Sequence, residues 1–185
     1  AGGARRVRAR VWLISMRPTS TRVRRHLAAG GRAIVLDGSQ LVEVEGGSRH
    51  AIVPVAAIPA TLGGIARHNV ANALSAAAGA RAMGASLEEV AQGLRSFGAS
   101  VGERYGRLDV YRRGSTTVVV DFAHNEAGVA ALVAVGEGLL GDRASRAGRS
   151  TLAIILGSAG DRPDDTLRGM GRVAAERADR VLIKE

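Results

Sequence analysis

Hydrophobic and polar positions change their period along this chain. Arg10–Ser15 is apolar and strand-like, and Thr21–Ala29 reads as a short helix ended by Gly30 and Gly31. Arg32–Leu36 and Gln40–Glu45 alternate as two strands around Asp37-Gly38, a favoured tight-turn pair. Ala51–Val55 reads as a further strand, closed by Pro54 and Pro59. From His68 the period becomes helical: Val70, Ala73, Leu74, Ala77 and Ala80 recur at three- and four-residue spacing until Gly84. Ser86 with Glu89 predicts a capping box, and Leu87, Val90, Leu94 and Phe97 give the next helix a buried stripe before Gly98.

Ala99–Gly106 carries Gly, Ser and charge without periodicity and reads as an interdomain linker. Beyond it the elements alternate. Leu108–Arg112 and Thr116–Asp121 are strands around Arg113-Gly114, followed by a helix over Glu126–Leu140 and a basic loop over Gly141–Ser150. A strand over Thr151–Leu156, a helix over Asp164–Ala178 and a strand over Arg180–Lys184 complete the chain. Strands alternating with helices, and apolar on both faces, predict an α/β fold with a parallel sheet. Such sheets usually hold about five or six strands, so this domain is expected to be truncated at its C-terminal edge.

Composition narrows the chemistry. The 185 residues are 46% hydrophobic, enough for one good core and part of a second, yet only 3% are aromatic. Stacking platforms for bases are therefore scarce. There is no cysteine, which removes thiolate chemistry and disulfides, and no apolar run long enough to span a bilayer, so a cytoplasmic location is expected. The net charge of +9 is carried almost wholly by arginine, Lys184 being the one lysine. That bias fits a GC-rich genome and weakens the charge as a sign of nucleic-acid binding. It also excludes a P-loop of the G-x-x-x-x-G-K-[ST] type, which needs its lysine on the nucleotide phosphates. Arg5, Arg6, Arg8 and Arg10 read as a solvated basic end, and His26 and His50, without metal-ligand spacing, as surface residues.

Three segments can carry chemistry. Asn69 and Asn72, three residues apart at a helix start, lie on one side of the first turn and can meet a purine edge, or Asn69 caps the helix while Asn72 faces solvent. In Asp121-Phe122-Ala123-His124-Asn125, between a parallel-type strand and a helix, Asp121 can accept from ribose hydroxyls and His124 can approach phosphate or base. The alternative makes Asn125 an N-cap with Glu126 complementing the helix dipole. Gly157–Pro163 is a Gly-rich loop in which Arg162 can hold an anion, or a plain βα connection.

The order of these motifs carries more than any one of them. Gly63-Gly64 leading to HNVANAL at His68–Leu74, GLRSF at Gly93–Phe97, GRLDV at Gly106–Val110, VVVDFAHNEAG at Val118–Gly128 and LGSAGDR at Leu156–Arg162 resembles the Mur ligase superfamily of ATP-dependent amide ligases. Within it the sequence most resembles the C-terminal ligase half of cyanophycin synthetases, which also have counterparts of Ala28–Leu36 and Ile58–Gly64. The resemblance implies the rear part of a central ATP-binding domain over residues 1–104, and a Rossmann-like C-terminal domain over residues 105–185. It places Asn69 and Asn72 near adenine, Arg107 toward the nucleotide phosphates and Asp121 on the ribose, with His124 and Asn125 at later positions of the same nucleotide-binding segment. ATP and Mg²⁺ are the implied cofactors, with the P-loop and metal ligands expected upstream, and no residue here is assigned a catalytic role. The implied partners are an acid with a free carboxylate, an amino acid or peptide, and an amine acceptor. A basic nucleic-acid-binding or scaffold module is the alternative. Two positions depart from the pattern: Glu126 stands where the superfamily usually has Pro, and Arg17 where cyanophycin-type sequences carry an acid.

Overall fold

The computed structural model describes residues 9–99, 106–141, 150–157 and 162–184. It divides into two compact units, Ala1–Ala99 and Ser100–Glu185. The run Arg5, Arg6 and Arg8, most of the expected linker, the centre of the Gly141–Ser150 loop and Ser158–Asp161 of the Gly-rich loop lie outside the described residues.

The first unit is built on a four-stranded sheet: β1 (Trp12–Ser15), β2 (Arg32–Asp37), β3 (Gln40–Glu45) and β4 (Ser48–Pro54), in that spatial order. Helix α1 (Thr21–Ala28) connects β1 to β2, which pair in parallel, whereas β2–β3 and β3–β4 are antiparallel. Ser20 starts α1 by accepting the Val23 N–H. Asp37 pairs with Gln40, so the turn between β2 and β3 centres on Gly38 and Ser39, one residue later than the sequence suggests. Gly46 and Gly47, both at positive φ, form the second tight turn, and β4 begins earlier than expected. Leu41 faces Val53 while Val42 faces Ala51, so a bulge at Ile52 sends both Ile52 and Val53 into the same core.

Both faces of this sheet are covered. Ala33, Val35, Val42 and Val44 pack with Val23 and Leu27 of α1, while Ile34, Leu36 and Leu41 face helices α2 (Arg67–Ala82) and α3 (Leu87–Ser96). The buried stripe of α2, Val70, Ala73, Leu74, Ala77 and Ala78, follows the helical period read from the sequence. Fully burying a side chain such as Leu74 contributes roughly 1.5–3 kcal/mol, so this seam dominates the unit. The capping box forms as expected: Ser86 Oγ accepts the Glu89 N–H at 3.2 Å, and Glu89 Oε2 accepts the Ser86 N–H at 2.7 Å. Phe97, expected in the α3 stripe, is instead 63% exposed, because the helix ends at Ser96 and extended backbone at Phe97 turns the ring outward.

One buried charge interrupts the α2 seam. Glu43 points from β3 toward the helices and is 2% exposed, and Arg81 at the end of the α2 stripe meets it with Nε at 2.5 Å and Nη2 at 3.3 Å. Arg81 also donates to the Ala85 carbonyl, closing the α2–α3 turn. The Glu43 hydrogen bond raises the Arg81 pKa above its ordinary value, against the opposing effect of burial. His26, expected at the surface, is half-buried: its Nε2 lies 3.1 Å from the Arg32 carbonyl, and its ring fills the space where a Gly31 side chain would go.

Among its described residues the second unit holds two sheets of two strands each. β5 (Asp109–Arg113) and β6 (Thr116–Val120) form an antiparallel hairpin, and β7 (Ala153–Gly157) and β8 (Arg180–Lys184) pair in parallel. Helix α4 (Glu126–Leu140) follows β6, and α5 (Asp164–Arg177) joins β7 to β8. The α/β class stands. Parallel pairing is nevertheless confined, in this unit, to β7–β8 among the described residues, and the strand before Asp121 is antiparallel rather than parallel-type. The expected burial on both strand faces is also not met: Ile154 and Leu156 pack with Val129, Val133, Met170 and Ala174, but Ile155 is 70% exposed. Arg177 of α5 reaches Glu137 and the Ala130 carbonyl of α4, and the Glu137 hydrogen bond raises its pKa. Glu126 has a fitting place in the structure: its carboxylate lies over Gly169 of α5 and pairs with Arg172 at 2.8 Å.

Candidate nucleotide site

Asn69 and Asn72 occupy the first turns of α2, and the structure gives them different tasks. The helix begins at Arg67 with Ala66 at the cap, so Asn69 is inside the helix and does not cap it. Its Nδ2 donates to the Ala60 carbonyl at 2.7 Å, tying α2 to the preceding turn Pro59–Gly64. That turn is held by Thr61, fully buried, whose hydroxyl lies within reach of the Val55 and Ile58 carbonyls. Leu62 and Gly63 there adopt positive φ, and Leu62 is the costlier of the two because a Cβ crowds the left-handed region. Asn69 Oδ1 then accepts Asn72 Nδ2 at 3.1 Å. Asn72 is exposed, and its Oδ1 has no protein partner among the described residues. One amide thus orients the other, and the second presents an acceptor with a neighbouring N–H, the pair an adenine edge requires.

The remaining residues belong to the second unit. Arg107 sits on a tight turn in which Gly106 and Leu108 both have positive φ, at 74° and 61°. Leu108 is buried, and Asp109 Oδ2 accepts the Gly106 N–H at 2.8 Å, so core packing and a hydrogen bond fix the turn. The Arg107 guanidinium is exposed, carbon 5.3 Å above the centre of the Phe122 ring, without an acidic partner among the described residues. Phe122 also meets the His124 ring at 5.7 Å, and His124 Nδ1 lies 3.1 Å from the Phe122 carbonyl. Asp121, directly after β6, is half-buried, and its carboxylate has no hydrogen bond or ion pair among the described residues. Asn125 caps α4: its Oδ1 accepts the Gly128 N–H at 2.8 Å.

The structure therefore joins Asn69 to Asn72, and Arg107 to His124 through Phe122. Sequence reasoning missed Phe122, because a lone aromatic between Asp121 and Ala123 has no period to mark it, and missed the Thr61 anchor because its partners are carbonyls. Among the described residues no three His, Asp or Glu side chains gather as a metal would require, and no helix is long and apolar enough to cross a membrane.

Similarity to known proteins bears on this arrangement. Cyanophycin synthetases of Crocosphaera subtropica and Trichormus variabilis are 34% and 35% identical to the chain over its full length. The sequence thus resembles the Mur ligase superfamily, through relatives of which the chain covers only part. It spans 20% of the length of those two relatives. A UDP-N-acetylmuramyl-tripeptide synthetase of Deinococcus radiodurans is 36% identical over 138 residues, 72% of this chain and 26% of that protein. A solved UDP-N-acetylmuramoyl-L-alanyl-D-glutamate–2,6-diaminopimelate ligase matches 83% of this chain and 28% of its own with TM-score 0.38 and 21% identity. No protein-family profile matches the chain. The relatives named here carry ligase or synthetase names.

Proposed function

We propose that this chain is the adenine-nucleotide-holding part of an ATP-dependent acid–amino acid ligase. In the parent reaction a substrate carboxylate oxygen attacks the γ-phosphorus of ATP and ADP leaves; the amine then attacks the acyl carbon, phosphate leaves and an amide remains. The observation that carries the reading is similarity to cyanophycin synthetases along the whole chain. Residues 1–104 act as the rear part of the central ATP-binding domain and residues 105–185 as the C-terminal domain. Asn72, oriented by Asn69, reads adenine; Asp121 accepts from the ribose hydroxyls; Arg107 neutralises phosphate charge, with His124 beside it and Asn125 shaping the α4 start. Mg²⁺ supplies charge neutralisation to such a reaction, but the described residues do not form a site for it, and no step here is assigned to it.

Phosphoryl transfer depends chiefly on positioning and on cationic neutralisation of the transferring group, and this sequence holds no P-loop lysine. The expected behaviour of residues 1–185 is weak adenine-nucleotide binding without amide formation. Isothermal titration with ATP should detect that binding, Asp121→Ala should abolish it and Asn72→Ala should weaken ATP binding more than triphosphate binding. ADP release should not depend on added amino-acid acceptors. Acceptor-dependent ADP release would show that the chemistry lies in residues not assigned here. Salt-sensitive binding of a labelled oligonucleotide that ATP does not displace would favour a nucleic-acid module instead.

A further inference from the structure

We propose that Phe122 is a positioning residue, whose exposed ring holds the Arg107 guanidinium as a pre-set cation for a polyphosphate chain; this rests on the nucleotide reading above. Two independent features of the second unit converge on Arg107. The first is its turn. A left-handed glycine and a left-handed leucine flank it, and a non-glycine residue keeps such a conformation only where its surroundings over-determine it. Leu108, 1% exposed, anchors one side, and the Asp109 carboxylate holds the Gly106 N–H on the other. The backbone that presents Arg107 is therefore fixed.

The second feature is the ring. Phe122 is 52% exposed, and its ring centre lies 5.3 Å from the Arg107 guanidinium carbon. Stacking orders a long side chain that would otherwise lose conformational freedom on meeting a ligand. It does so without using an N–H, whereas an ion pair such as Arg172 with Glu126 commits donors to a carboxylate. Arg107 is thereby ordered with its hydrogen-bonding capacity intact, which suits a multiply charged oxyanion. His124 rests on the same ring, 5.7 Å between ring centres, with its Nδ1 3.1 Å from the Phe122 carbonyl, so its ring reports on changes at this cluster. A phosphate chain, with several oxyanions along its length, can engage the N–H groups of Arg107.

The test titrates sodium triphosphate into the full chain at constant ionic strength, following the Arg107 side-chain N–H and the His124 ring by NMR. Both should shift. Phe122→Leu should weaken triphosphate binding about three- to fivefold, the size an exposed cation–π stack supports, while Phe122→Tyr, which keeps the ring, stays within about twofold of wild type. Arg107→Lys, which keeps the charge but loses the planar stack, should weaken it as Phe122→Leu does. A purely structural role for Phe122 would lower the melting temperature and leave triphosphate affinity of the folded variant unchanged, overturning the proposal. So would an absence of Arg107 shifts in wild type, or equal shifts with acetate. Triphosphate binding at Arg107 without any adenosine binding would uphold the positioning role and count against the adenine reading.

Discussion

Replacing Arg81 by methionine tests the seam between sheet and helix in the first unit. The substitution keeps an unbranched stem of similar shape and removes both charge-assisted hydrogen bonds to Glu43, at 2.5 and 3.3 Å, together with the donor to the Ala85 carbonyl. Glu43, 2% exposed, is then left as a buried carboxylate without its counter-charge. Breaking a buried pair from one side costs about 3–5 kcal/mol. The Arg81 side chain is 21% exposed, so water can reach part of the vacated space, and the expected cost is toward the lower end, about 3 kcal/mol. For a unit whose whole stability is about 5–15 kcal/mol that is a large share. With a urea slope of about 1–2 kcal/mol/M, the midpoint should fall by roughly 1.5–3 M. Trp12, the sole tryptophan, packs against this core and reports its unfolding by fluorescence. Arg81→Met combined with Glu43→Leu should regain most of the loss, because an apolar replacement of both partners removes the buried charge. A single variant that loses less than about 1 kcal/mol, or a double variant no more stable than the single, would refute the reasoning.

Gly31→Ala should destabilise the first unit by about 1–3 kcal/mol, since its methyl would overlap the His26 imidazole, and His26→Ala in the same chain should restore the urea midpoint. The Glu89 carboxylate is held below the ordinary glutamate range by hydrogen bonds from the Ser86 N–H and hydroxyl. Its cap contribution to α3 should therefore be present above that ordinary range and be lost as pH falls through the depressed value; an NMR titration of the Ser86 amide should follow this, and Glu89→Gln should remove it. Gly79→Ala, in the interior of α2 with nothing near the added methyl, should raise stability by about 0.5–1 kcal/mol. Gly169→Ala in α5 should give no such gain in thermal unfolding, because the Glu126 carboxylate occupies the space.

Local signals were legible in the sequence because their causes are local. The α2 period, the Ser86 capping box, the glycine turns and the Asn125 cap each depend on residues within a few positions of one another. The order of short motifs likewise pointed to the superfamily before any coordinates. The features that escaped depend on distant partners or on where an element stops. Glu43 is buried because Arg81, far along the chain, meets it across the sheet face. Phe97 leaves its stripe because α3 ends one residue before it. Asn69 is committed inward by a carbonyl of the preceding turn, so that of two similar amides only Asn72 keeps an open acceptor. Period and spacing assign residues to a face of an element, but tertiary packing decides which polar atoms on that face are already satisfied, and those left over are the ones that can bind.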